Sequence, residues 1–176
     1  TAGRGIPDER LLEVSTHYEL FGGRSPINER NAELMEAIRL ELLARGVEVP
    51  VAIGNRNWHP FHAETAASLV ADGHQRVVAV ATSAYHSYSS CRQYDEDLAG
   101  ASASVEGRLL IDKIGAFAET DAFVNANARS VAAAVTSLRA EVGEAPMRVL
   151  FVTHSIPTAM NATPGDGTPG CSYPEQ

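Results

Sequence analysis

Arg76-Val77-Val78-Ala79-Val80-Ala81-Thr82 is a continuous apolar run of strand length in which β-branched residues predominate, and its reading decides the fold. It lacks the polar-apolar alternation of a half-exposed strand, so it predicts a strand covered on both faces. Upstream, residues 66–71 have helical spacing and residues 47–53 read as another strand. Downstream, a polar and aromatic loop over residues 83–94 leads into a helix ending near Gly100, followed by a strand over 109–114. An alanine-rich helix over 121–142 and a last short strand over 147–152 complete the alternation. Strands that alternate with helices imply an α/β fold, with a mainly parallel sheet, right-handed crossovers and helices on both faces.

The front of the chain extends this pattern. Pro7 and Asp8 open a helix whose apolar face is Leu11, Leu12, Val14, Tyr18 and Leu20, and Gly22-Gly23 ends it. Asn28 is expected to cap a second helix, in which Leu34, Ile38 and Leu42 recur up to Gly46.

The 176 residues, 44% hydrophobic, describe one globular unit with a core of its own. The net charge of −8 comes from acids spread over the helices, without the basic stripe that a phosphate backbone requires, so nucleic acid is not an expected partner. No apolar run has transmembrane length and the first residues lack the order of a secretory signal, so a cytoplasmic location is expected. Two cysteines, Cys91 and Cys171, cannot build a disulfide scaffold; they are inert thiols or partial contributors to a metal site.

Chemistry-bearing side chains concentrate in three segments that each follow an expected strand. In an open α/β sheet such segments gather at one edge, where ligands bind. The expected cleft is lined by Trp58, His59, Tyr85, His86, Tyr88, Tyr94 and His154. His154 stands at the end of the last strand, in Phe151-Val152-Thr153-His154-Ser155-Ile156-Pro157. A neutral imidazole there can hold a divalent metal or accept a proton; alternatively it bonds nearby backbone at the strand end.

Four strings in register across nearly the whole chain resemble the ferrochelatase family, actinobacterial type. They are Gly22-Gly23 with Ser25-Pro26-Ile27-Asn28, Gly54-Asn55-Arg56-Asn57-Trp58-His59-Pro60-Phe61, Thr82-Ser83-Ala84-Tyr85 through Cys91-Arg92-Gln93-Tyr94, and His154-Ser155-Ile156-Pro157. The resemblance implies a lyase of heme biosynthesis that inserts ferrous iron into a porphyrin, coproporphyrin III ahead of protoporphyrin IX. It implies residues 1–176 as a single α/β lobe, the first of a two-lobed chelatase fold, without the opening strand and without the second lobe, its intramolecular partner. It places His154 at the substrate iron, as ligand or as the base for pyrrole protons. Ser25 and Tyr94 fall at substrate-binding positions, with Arg4, Tyr85 and Trp58 beside them. Cys91 falls where such enzymes supply one of the four thiolates of a two-iron, two-sulfur cluster, which this chain does not complete.

Some positions depart from the family pattern. Ala2 stands where an arginine is usual, and His86 and Ser90 replace smaller residues. Arg4, Arg24, Arg56 and Arg92 are candidates for the porphyrin's carboxylates, or are solvated surface charges. A glutamate of the second lobe faces the histidine in such enzymes, so the isolated chain is expected to turn over little or not at all. Two other readings stay open: a cobalt or nickel chelatase of the related class, and a non-catalytic tetrapyrrole or heme carrier with His154 as axial ligand.

Overall fold

The computed structural model describes residues 7–152, and the chain divides at Asn55 and Arg56 into two compact units.

The first unit holds helices α1 (Asp8–Glu19) and α2 (Ile27–Ala44). Pro7 precedes α1 with an extended ψ of 142°, and Asp8 and Glu9 place negative charge at its positive end. The helix stops because Gly22 and Gly23 take positive φ, of 76° and 81°. That geometry lets the Gly23 N–H reach back to the Tyr18 carbonyl at 2.8 Å. The expected cap on α2 falls elsewhere. Pro26 occupies the cap position and Asn28 lies inside the first turn, because the proline presets the backbone angle there. Gly46 closes α2 as expected, with φ of 74°.

The second unit is a βαβ arrangement: α3 (His62–Ala71), β1 (Arg76–Ala79), α4 (Arg92–Ser104), β2 (Leu110–Lys113) and α5 (Asp121–Val142). The two strands pair in parallel, Arg76 beside Leu110 and Ala79 beside Lys113. Helices α3 and α4 pack together, and the core lies between them and the sheet. Ala66 of α3, Ala101 of α4, Val105 and Leu109 form it, with Leu69, Val70, Val77 and Ile111 against them. Leu109 is fully buried. Alanines at the contact let the helices approach closely, as small residues at facing positions do. Lys113 of β2 bonds Asp95 of α4 at 3.3 Å, a polar link between strand and crossover helix.

The parallel α/β plan and α5, with the bounds read from its pattern, are as expected. Other expectations are corrected. Residues 47–53 and 147–152 form no strand, and β1 ends at Ala79 instead of continuing to Thr82. A strand exists only through its ladder, and among the described residues the one sheet ladder joins β1 and β2. Leu150, Phe151 and Val152 accordingly stand exposed. Helix α4 reaches past Gly100 to Ser104. Among the described residues only one face of the sheet is covered; the other shows Val78, Leu110 and an ion pair of Arg76 with Asp112 at 2.6 Å.

Candidate functional site

Two of the three expected segments are brought together, and Arg56 does it. Its guanidinium Nε donates to Asp97 of α4, Nη1 to Gln93 of α4 at 3.3 Å, and Nη2 to the Ser89 carbonyl at 3.3 Å. Its flat face lies over the Tyr94 ring, 4.0 Å from the centroid. Arg56 and Asp97 are both largely withdrawn from water, which strengthens the pair. The loop after residue 53 and the loop after β1 therefore meet on the first turns of α4. The third segment, with His154, lies outside the described residues, as do Arg4 and Cys171.

The segment that follows Arg56 presents aromatic surface. Trp58 is 62% exposed, and its ring meets His59 edge-on at 6.4 Å between centroids. His59 in turn stands 4.5 Å from Phe61 and bonds the Glu64 carboxylate through Nδ1 at 2.9 Å. The peptide bond between His59 and Pro60 is cis. Glu64 also accepts the Phe61 backbone N–H at 2.7 Å, satisfying one unpaired donor at the start of α3. That N–H first, and the His59 ring second, hold the Glu64 carboxyl below its ordinary pKa.

The loop before α4 is ordered by its serines. Ser87 Oγ and Ser90 Oγ are 2.5 Å apart, Ser90 donates to the Tyr85 carbonyl at 2.6 Å, and the Cys91 N–H bonds the Ser87 carbonyl at 2.9 Å. Short hydroxyl side chains that bond local backbone favour such turns over helix or strand. Ser90, one of the departures from the family pattern, is thus a structural member of the loop. Tyr85 packs edge-on against Phe123 of α5 at 6.0 Å. Tyr88 donates to Glu96 at 3.2 Å, and that bond pushes its phenol pKa up. Tyr94 is half-buried between Arg56 and His62, whose ring is 6.2 Å away.

Cys91 is 5% exposed, with Sγ 3.3 Å from His86 Nδ1. Among the described residues it belongs to no group of three or more His, Cys, Asp or Glu able to hold a metal. A depression of ≈190 Å³ beside His86, Ala116, Ala118, Glu119 and Thr120 is smaller than the ~300–1,000 Å³ that encloses a drug-sized ligand.

In the first unit, Ser25 Oγ accepts the Ile27 N–H at 3.3 Å, closing the turn before α2. Arg24 pairs with Glu29, and Arg92 of the second unit with Glu96 at 3.1 Å. Each of these arginines already has a carboxylate. Sequence reading missed Gln93 and Asp97 as partners of Arg56. The available signal was their spacing of four on one helix face beside Tyr94, which makes a cradle for a planar cation.

No helix among the described residues is long and apolar enough to cross a membrane. The ferrochelatase family model matches residues 2–176. The chain is 48% identical over 164 residues to a coproporphyrin III ferrochelatase of Leifsonia xyli, covering 90% of this chain and 42% of that protein. It is 46% identical to the coproporphyrin III ferrochelatase of Streptomyces coelicolor, over 95% of this chain and 45% of the relative. Against a ferrochelatase of Rhodopirellula baltica the identity is 40%, over 99% of this chain and 47% of the relative. The chain therefore spans somewhat less than half the length of these relatives.

Proposed function

The chain belongs to the ferrochelatase family, and from that premise we propose that it is the first lobe of an enzyme inserting ferrous iron into a porphyrin, with coproporphyrin III as the substrate. The observation that carries this reading is the 48% and 46% identity to coproporphyrin III ferrochelatases over 90% and 95% of the chain. The described side chains are compatible with it. A porphyrin is a flat apolar disc with an acidic margin, and the 54–61 segment offers an exposed indole beside an aromatic edge.

Metal insertion requires the two inner pyrrole N–H protons to leave as iron enters, so charge balances only if a base receives them. We assign that base, or the ligand that delivers iron, to His154, since a neutral imidazole does either near neutral pH. The family resemblance assigns Trp58, Tyr85 and Tyr94 to the porphyrin, and Ser25 and Arg4 to substrate binding as well. Tyr94 takes part through its ring and its setting against Arg56. The described residues do not fit an iron-sulfur cluster by themselves. Such a cluster needs four thiolates, and Cys91 is a single buried thiol bonded to an imidazole. No step of the proposed chemistry uses it.

Little turnover is expected from the 176 residues alone, because the glutamate that the family resemblance sets opposite His154 belongs to the second lobe. The test is an anaerobic absorbance titration with coproporphyrin III, then ferrous iron, for the chain and for His154→Ala. A Soret shift on mixing supports the porphyrin site. Rapid metallation lost in His154→Ala would show that this lobe is active alone and overturn the claim of dependence. Absence of any shift, both for this chain and for a version extended to the relatives' length, would overturn the function itself.

A further inference from the structure

We propose that Arg56 is a positioning residue of the porphyrin site, which locks Tyr94 and the 83–91 loop in place, and that it is not a receptor for the porphyrin's carboxylates. This rests on the porphyrin reading above. Arg56 commits Nε, Nη1 and Nη2 to Asp97, Gln93 and the Ser89 carbonyl, and its face to Tyr94. Three of its five N–H groups are engaged here, and Asp97 already neutralises the guanidinium at close range and in partial burial, so a substrate carboxylate would compete with Asp97 for its charge. The same four contacts tie together three pieces of chain: the segment that carries Trp58, the serine-ordered loop that carries Cys91 and Tyr85, and the first turns of α4. A planar fork that also stacks is what this geometry demands, and only arginine offers both.

Trp58 is the sole tryptophan and lies two residues beyond Arg56, so its fluorescence reports the clamp with no ligand present. The experiment compares Arg56→Gln, Arg56→Lys, Asp97→Asn and the Arg56→Gln/Asp97→Asn double variant, each checked for helix content by circular dichroism. Trp58 anisotropy is read first. Quenching of Trp58 is then titrated with coproporphyrin III, which has four carboxylates, and with deuteroporphyrin, which has two.

The expected result is a fall in anisotropy and a Kd raised about tenfold in each single variant, alike for both porphyrins, with the double variant no worse because the two residues act as one unit. Arg56→Lys should not rescue. Tighter binding in Asp97→Asn, rescue by Arg56→Lys, or a loss confined to the four-carboxylate porphyrin would overturn the proposal and make Arg56 a carboxylate receptor. If Arg56→Gln fails to fold, Arg56→Lys and Asp97→Asn decide the same question. Failure of the parent chain to bind either porphyrin counts against the function proposed above. The clamp is then judged on anisotropy alone, where additive effects of the two substitutions would overturn it.

Discussion

Up to Asn55 the chain makes two helices in which every described residue is at least partly exposed, and their ion pairs join residues three to five apart, such as Arg39 with Glu36 and Arg24 with Glu29. From Arg56 onward the ion pairs reach 41 residues, from Arg56 to Asp97, and 36 residues, from Arg76 to Asp112, around a buried core. The contrast separates local from tertiary stabilisation. Helices form from neighbours in sequence, whereas the βαβ unit needs distant segments to meet before any of its contacts form. Of the described candidate site residues, Trp58, Tyr85, Cys91 and Tyr94 lie in the second region and Ser25 in the first; Tyr94 is held there by Arg56, a contact that only distant segments supply.

The sharpest test of that contrast is a matched pair of truncations. Leu109→Ala removes a fully buried side chain and is expected to cost about 2–5 kcal/mol, enough to unfold much of so small a core. Leu12→Ala, at a position 69% exposed, should cost within about 0.5 kcal/mol. Urea unfolding followed by Trp58 fluorescence and by circular dichroism measures both, and equal losses would erase the distinction between the regions.

A smaller effect is expected at the end of α1. Gly23→Ala must hold φ near 81° with a Cβ that meets no other atom, so its cost is the left-handed backbone alone, about 1–2 kcal/mol. Loss of helix content without a change in Trp58 emission would confirm that the damage stays local. At the start of α5, the Thr120 side chain accepts the Phe123 N–H at 3.3 Å, and Thr120→Ala should cost about 1 kcal/mol. Pro7 and Pro26 make no such side-chain bond, so alanine at either should be felt less in the same thermal melt.

The smallest effect is acid sensitivity. Hydrogen bonds from Arg10 to Glu13 and from Arg39 to Glu36 hold those carboxyls below their ordinary pKa. A depressed native pKa contributes stability above the unfolded value, near 4.3, and that contribution is lost as pH falls through the lowered one. Helix content in the first region should therefore decline below about pH 4. Glu36→Gln should flatten part of that decline; an unchanged acid limb in circular dichroism would mean that solvent screens the pair completely.

How far the fold could be read in advance follows the same division. The α5 bounds, the glycine stop after α1 and the Gly46 stop after α2 were legible, since caps, glycines and helical periodicity are decided by near neighbours. Residues 47–53 and 147–152 have apolar strand composition yet lie outside the one ladder among the described residues, because composition supplies propensity and the fold decides which runs pair. Asn28 looked like a cap by residue type, but Pro26, two positions earlier, sets the backbone that starts α2. In the site, the aromatic and histidine content of 54–61 and 83–94 was visible. That Arg56 would spend its hydrogen bonds on α4 was not.

By itself the sequence determined the helices, the glycine stops after α1 and α2, the bounds of α5, the parallel α/β class and the family, all of which depend on local chemistry or on strings of residues in order. Tertiary structure alone decided that Arg56 would be held between Asp97 and Tyr94, that Cys91 would be buried against His86, and that β1 would stop at Ala79. The physical reason is that a hydrogen bond or a ladder needs a partner at the right distance and angle, and a partner 41 residues away is delivered only by the fold.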